Sequence, residues 1–300
     1  MKKYIFIAAL LGSAALTEAQ QLQTSSFYEM QGILFNPSVA GVFQDADTKG
    51  IAGITYRNQW SGIAGSPQTF TAFGSFNLPK QKFGVSAMAY NDETGPTSRI
   101  GLQLAFAKHI IFEDGGDFSI GIDTRLQQYS IDVVKLAETL GSDPVLGGSD
   151  NSFSFDAGLG ISYTNKAFQV GASVSQLVQS KLDFYSGNLS RSEVGRLYRH
   201  YYFHTRYNWD IDGTTTISPN MMMVYLPNAP TEVTLGAVVN YNQVVWWGLG
   251  YRVNQSWMLQ AGLIIKKKFT LGYSYDIYQN PVNYFAGGNS ANEFLLKYKF

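Results

Sequence analysis

Apolar and polar residues alternate along this chain from Gly50 to Phe300, in runs of about ten. In the last run Phe294, Leu296, Tyr298 and Phe300 share one face of an extended strand, while Lys297 and Lys299 occupy the other. Fourteen such runs can be placed, near 50–60, 67–77, 82–91, 99–112, 117–131, 152–164, 167–178, 196–209, 214–226, 231–241, 244–254, 256–266, 268–279 and 291–300. No amphipathic helix separates them. In lipid an open sheet edge has no water to satisfy it, so strands that cross a bilayer must close on themselves. The pattern therefore predicts an all-β fold, a transmembrane antiparallel β-barrel of about 14 strands over 50–300. The localisation that follows is integral, in the cell outer membrane.

The connections test the strand count. Barrels of this kind have short periplasmic turns and longer extracellular loops. The stretches 132–151, 179–195 and 280–290 all fall on odd-numbered connections and should lie outside. The even ones are short: Leu78 to Gln81, Glu113 to Gly116, Asn165-Lys166, Asp210 to Gly213 and Lys266-Lys267. Two outer connections, near Pro227 and Asn254, are also short and should leave one side of the rim low.

Faces follow from the period of two. Phe118, Ile120, Ile122 and Leu126 should meet lipid, with Ser119, Asp123, Arg125 and Gln127 inside. Phe153, Phe155, Leu159 and Ile161 oppose Ser154, Asp156, Gly158 and Gly160, and Phe269, Leu271, Tyr273 and Tyr275 oppose Thr270, Gly272 and Ser274. A slip of one residue would put charges into hydrocarbon at about 2–4 kcal/mol each near the midplane, so the register is well determined. The run at 214–226 is the weakest, because Pro219 cannot donate to a ladder and Met221-Met222-Met223 blurs its faces.

Ahead of the barrel, residues 1–19 read as a signal peptide. Lys2 and Lys3 are followed by a short apolar core from Ile5 to Leu16 and a small-residue cleavage site at Thr17 and Ala19. Residues 20–49 alternate poorly and carry turn signals at Asn36-Pro37, Gly41 and Asp45-Ala46-Asp47, predicting a periplasmic lead-in or plug.

Composition narrows the function. Cysteine is absent, which excludes disulfide frameworks and thiol catalysis. Net charge is zero, so nucleic acid is not an expected partner. The inward set, Arg57, Asp123, Arg125, Asp156, His200, His204, Arg206, Arg252 and Asp276, mixes signs and reads as an interior that pairs with itself. His200 and His204 lie about 13 Å apart along a strand, too far to share a metal. There is no G-x-S-x-G elbow, and no serine is tied by the pattern to a histidine, His109 included. The Asp45–Gly50 stretch lacks the terminal Glu of a calcium loop. We expect no enzyme, no cofactor and no metal. Lys80, Lys82, Lys166 and Lys266 to Lys268 should line the periplasmic rim, and acidic residues such as Asp92, Glu93, Glu138 and Asp183 the outer loops.

Two segments carry a resemblance. Asn36-Pro37-Ser38-Val39-Ala40-Gly41 resembles the N-P-A-x-A-G signature of PorP/SprF-type outer-membrane proteins, with Ser38 and Val39 as mild departures. Tyr56-Arg57-Asn58-Gln59-Trp60-Ser61-Gly62-Ile63 and Gly65-Ser66-Pro67 resemble that family's Y-R-x-Q-W-x-G-I…G-x-P segment, and Gln31 also fits. The resemblance implies a non-enzymatic barrel of the type IX secretion and gliding apparatus of Bacteroidota. Its implied partners are a secreted surface protein with a C-terminal secretion domain, periplasmic or lipoprotein components of that apparatus, and outer-membrane lipid. On this reading Asn36, Pro37 and Gly41 shape the lead-in. Arg57 and Gln59 face the lumen, where they clamp the lead-in or a passing partner segment, or where Arg57 pairs with Asp276 or another internal carboxylate. Tyr56 and Trp60 face lipid, with Trp60 in the aromatic girdle, and Gly62, Gly65 and Pro67 shape the first outer loop. The alternative function is a small-molecule uptake channel resembling the fatty-acid transporters, which a hydrophobic pocket behind the lead-in would favour.

Overall fold

The computed structural model describes residues 23–45, 47–132, 134–135, 150–182, 195–227, 229–279 and 290–300. The expected signal peptide, most of the long outer connections, and Glu138 and Asp183 lie outside the described residues.

Among the described residues the chain forms a closed ring of fourteen antiparallel strands. These are β1 (Gly50–Gln59), β2 (Gln68–Leu78), β3 (Phe83–Thr94), β4 (Thr97–Ile111), β5 (Asp117–Ile131), β6 (Asp150–Thr164), β7 (Phe168–Ser175), β8 (His200–Tyr207), β9 (Thr215–Tyr225), β10 (Glu232–Tyr241), β11 (Val245–Arg252), β12 (Ser256–Ile265), β13 (Phe269–Tyr278) and β14 (Ser290–Lys299). Each pairs with its neighbours in sequence, and β1 closes the ring on β14 through Ile51↔Lys299 to Gln59↔Ala291. All fourteen runs read from the alternation are present, with ends shifted by a few residues.

The faces agree as well. Ile120, Ile122 and Leu126 are about half exposed and look out to lipid, whereas Ser119, Asp123, Arg125 and Gln127 are buried inside. Phe269, Leu271, Tyr273 and Tyr275 likewise face out from β13, over buried Thr270 and Ser274. The third connection is a two-residue turn, Gly95-Pro96, so β3 and β4 reach further out than the pattern indicated, and Gly95 N donates to Gly65 O on the first outer loop at 2.8 Å.

Two interruptions were not anticipated at their positions. β7 was expected to run to 178 but ends at Ser175, because Gln176 turns into the left-handed region (φ 58°). Beyond it the Asp156 carboxylate replaces a ladder partner, accepting from the Val178 amide at 3.1 Å. β8 breaks at Asn208 and resumes as Trp209–Asp210 in unchanged register. The gap lies opposite Ser218 and Pro219, where the missing proline N–H removes a ladder bond. Residues Lys181–Leu182 and Gly195–Arg196 pair as a small ribbon apart from the barrel sheet.

The apolar core lies inside the ring. A barrel of fourteen strands is wider than its own inward side chains fill, and residues 23–45 occupy that space. Three short 3₁₀ turns, Tyr28–Met30, Gly32–Leu34 and Pro37–Val39, compact the segment. Phe27, Ile33, Leu34, Phe35 and Ala40 are buried against Phe73, Met88, Tyr90, Trp246, Met258 and Leu295 of the wall. Each large side chain so buried contributes about 1.5–3 kcal/mol.

Candidate functional site

The described lumen is organised by the N-terminal segment. It starts beside the outer half of the wall, where Gln23 donates to Thr71 (2.8 Å) and Thr24 to Gln59 (3.2 Å). It descends to the rim of short turns, where Asp45 pairs with Lys299 at 2.7 Å. Between these two ends residues 23–45 run inside the barrel.

Arg57, on β1, is the centre of the upper contact. The residue is 2 % exposed, and Nη2 donates to Asp276 Oδ2 at 2.8 Å and to the Tyr278 hydroxyl at 3.1 Å. Nη1 donates to Ser26 Oγ at 2.7 Å and to Glu293 Oε2 at 3.1 Å. The carboxylates also hold the segment directly. Glu293 accepts from the Ser25 hydroxyl and the Ser26 amide, each at 2.7 Å, and Asp276 accepts from the Ser26 hydroxyl at 2.8 Å. The two arrangements weighed for Arg57, pairing with Asp276 and gripping the lead-in, coexist in one network. Gln31 adds to it, donating to Ser25 Oγ (3.1 Å) and Thr55 Oγ1 (3.2 Å).

The Asn36–Gly41 motif sits lower, against β2 to β7. Asn36 caps its own turn: Oδ1 accepts from the Ser38 amide at 3.0 Å and from the Ser38 hydroxyl at 2.7 Å. That leaves Asn36 Nδ2 to donate to Ile161 O (3.2 Å) and to His204 Nε2 (3.0 Å), which holds the His204 ring in its neutral tautomer. Pro37 supplies the first position of the turn. Gly41 takes the left-handed φ of 70°, and its amide donates to Ser75 Oγ at 2.8 Å.

The wall is made smooth where the motif touches it. A Cβ on Gly84 would collide with Ala40 O, one on Gly121 with the Pro37–Ser38 peptide, and one on Gly160 with Asn36 Oδ1. Ala105 and Ala107 on β4 complete this surface. Backbone carbonyls of the segment are met by polar side chains: Gln103 donates to Ile33 O (2.8 Å), Arg125 to Leu34 O (3.3 Å), Ser173 to Phe35 O (2.6 Å) and Gln260 to Ser26 O (2.6 Å).

The remaining motif residues separate. Tyr56 faces lipid, 41 % exposed, with its hydroxyl donating to Gln68. Trp60 does not belong to the lipid-facing girdle in the way the alternation indicated. β1 ends at Gln59, Trp60 adopts φ 56°, and its ring meets the inward Tyr278 edge-on at 6.3 Å. The left-handed residue ends the period of two, so face assignment stops there. Gly62 (φ 109°) and Gly65 (φ 73°) shape the first outer loop, and buried Pro67 accepts from the Gln59 amide at 2.9 Å.

The inward charges pair as a mixed set. Arg125 pairs with Asp123 at 3.0 Å, Arg206 with Glu29 at 3.5 Å and Arg99 with Asp92 at 3.2 Å. His200 meets Gln176 (2.9 Å), apart from His204 and Asn36. One serine does couple to a histidine, contrary to the sequence reading: Ser119 Oγ lies 2.8 Å from His109 Nδ1, with Asp117 Oδ2 at 3.2 Å from the same nitrogen. A nucleophile relay needs the serine and the acid on opposite ring nitrogens. Here both share Nδ1, and Nε2 is buried with no partner among the described residues. Nor do the described residues contain a group of three or more acidic, histidine or cysteine side chains placed to hold a metal.

Residues that sequence reasoning missed are Ser25, Ser26, Glu293 and the glycines Gly84, Gly121 and Gly160. Glu293 does fall in the predicted run 291–300, opposite Arg57 in the register. The serines carry no periodic signal that could have placed them.

Between the segment and the wall lies a cavity of about 340 Å³, lined by Glu29, Ile33, Val42, Phe73, Trp246 and Lys297 among others. It reaches the periplasmic rim, where Asp45, Thr48 and Lys299 border it. Lys80, Lys82, Lys166 and Lys266 to Lys268 are exposed at that rim.

The fold is similar to those of solved outer-membrane proteins at low identity. The toluene transporter TbuX of Ralstonia pickettii aligns with TM-score 0.54 and 10% identity, covering 90% of this chain and 93% of that one. A FadL homologue of Pseudomonas aeruginosa aligns with TM-score 0.53 and 12% identity, covering 88% and 92%. The CymD monoaromatic hydrocarbon channel aligns with TM-score 0.52 and 11% identity, covering 90% and 92%. No curated protein matches the chain. The family model described as type IX secretion system membrane protein PorP/SprF matches residues 16–298. With that match over nearly the whole of an outer-membrane barrel, the chain belongs to the PorP/SprF family.

Proposed function

We propose that this outer-membrane barrel serves type IX secretion as an accessory or anchoring subunit, aiding the export or surface attachment of a secreted adhesin-like protein. The observation that carries this reading is the family match over residues 16–298. The lumen suits it: the N-terminal segment is bonded to the wall from Thr71 at one end to Lys299 at the other, which favours a filled, load-bearing barrel. The partners would be a secreted surface protein met at the outer loops and a periplasmic or lipoprotein component at the lysine-bearing rim.

A second reading, a small-molecule channel, has its own observations, and geometry taken alone speaks more for it than for the first. The cavity of about 340 Å³ behind the N-terminal segment is of the size of a ligand site, and the fold is similar to solved transporters and channels. One experiment separates the two. The tagged protein is purified in mild detergent from its own outer membrane after crosslinking, and co-eluting proteins are identified by mass spectrometry. A large secreted protein or a secretion lipoprotein in stoichiometric amount supports the first reading. A clean monomer that admits small solutes into liposomes refutes it in favour of the second.

A further inference from the structure

We propose that the cavity between the N-terminal segment and the wall is a binding site for a carboxylate carried on a compact apolar body, with Lys297 as its counter-charge. This goes beyond either role for the barrel and stands whichever of them holds.

The charges around the cavity leave one cation over. Its lining holds Glu29, Asp45, Arg206, Lys297 and Lys299, three cations against two carboxylates. Arg206 is matched with Glu29 at 3.5 Å and also donates to Asn208 (2.9 Å) and Ser218 (3.3 Å). Lys299 is matched with Asp45 at 2.7 Å. His204 takes the Asn36 amide on Nε2 and is neutral there. Lys297 alone has no ion-pair or hydrogen-bond partner among the described residues. Its cross-strand neighbours are Gly53 on β1 and Thr270 on β13, and neither brings an acid. An ammonium at the wall of this cavity, unmatched where its two neighbouring cations each hold a carboxylate, is short of an anion.

The rest of the lining sets the kind of anion. Phe73, Trp246, Val238, Ile264 and Met222 present apolar surface to the same cavity. A ligand of one charge on an apolar body satisfies both halves. A phosphate monoester does not, since it asks for more charge and for a free bidentate guanidinium, and the guanidinium of Arg206 is engaged. The cavity volume is at the low end of small-molecule sites, which calls for a compact ligand. Entry is from the periplasmic rim, past Thr48 and the Asp45–Lys299 pair.

The test is calorimetric titration of the full-length protein in detergent with 4-phenylbutyrate and with 4-phenylbutanol, its neutral counterpart. The expected result is saturable binding of the acid at one site, with the alcohol at least tenfold weaker. Lys297→Met, which keeps the apolar stem and removes the charge, should weaken the acid at least tenfold while leaving the alcohol unchanged. Equal affinity for acid and alcohol, no saturable heat, or acid binding unaffected by Lys297→Met would each overturn the proposal. If that variant does not fold, Val238→Trp decides, by filling the cavity without touching the charge. Loss of acid binding supports the site, and retention overturns it.

Discussion

Arg57 shows what one inward side chain does in this barrel. It stands between two buried carboxylates, Asp276 and Glu293, and the three share their remaining bonding capacity with Ser25 and Ser26. Removing one partner from a buried ionic network strands the others, at a cost of about 3–5 kcal/mol. Arg57→Ala is therefore expected to lower the unfolding free energy by that amount, seen as a lower urea midpoint, and to expose residues 23–31 to protease, as read by limited proteolysis. Arg57→Ala combined with Asp276→Asn and Glu293→Gln should recover much of the loss. A single variant with unchanged midpoint and unchanged export would refute the clamp. That Arg57 points inward is legible in the alternation, and so is Asp276 as a partner, because both lie in regular strands. Its bond to Ser26 is not, since an unpatterned segment carries no register. Trp60 marks the same boundary from the other side: one residue past β1, a left-handed backbone sends it towards Tyr278 instead of lipid.

At the scale of elements, the motif and the wall are complementary surfaces made in different parts of the chain. The Asn36–Gly41 turn fits only because Gly84, Gly121 and Gly160 offer no side chain at the points of contact. Gly160→Ala should overpack this contact by about 1–3 kcal/mol. The N-terminal segment would yield before the ladder does, so the expected outcome is faster proteolysis between 23 and 45 with the barrel still heat-modifiable on gels. Gly74→Ala is the control, since its Cβ would meet nothing nearer than 3.5 Å. The lower end of the segment is tied by charge. The Lys299 side chain bonded to Asp45 holds that carboxyl below the usual carboxylate range. A lowered pKa means the tie is complete above about pH 4 and is lost only as pH falls further, through the depressed value. Proteolysis of the 41–49 stretch should thus be flat from neutral pH to about pH 5 in the native chain, and raised across that whole range in Asp45→Asn. The strands were legible because lipid imposes a strict period of two. The breaks at Gln176 and Asn208 were not, because each depends on a cross-strand partner, the Asp156 carboxylate in one case and Pro219 in the other.

For the whole molecule the question is what the filled lumen costs and permits. Fourteen strands enclose more space than their inward side chains occupy, and barrels only a little larger hold an aqueous channel. Here the space is taken by residues 23–45, whose buried Phe27, Ile33, Leu34 and Phe35 make the interior core. The segment is thus part of the stability of the barrel, and we propose that it also obstructs the lumen. These two roles can be separated, because the chain has no cysteine and a single engineered pair is unambiguous. Ser38 Oγ and Ser162 Oγ lie 2.9 Å apart, one on the motif and one on β6, so Ser38→Cys with Ser162→Cys should form a bridge under oxidation. In planar bilayers the oxidised pair is expected to stay non-conducting, and a variant lacking residues 23–45 to conduct steadily. If the bridged protein conducts as well as the deletion variant, the segment does not obstruct the lumen and ions follow another path. If reduction of the bridge alone raises conductance, the segment leaves its seat in the membrane, and the bonds of Asn36 and Ser38 to β6 are what hold it in place.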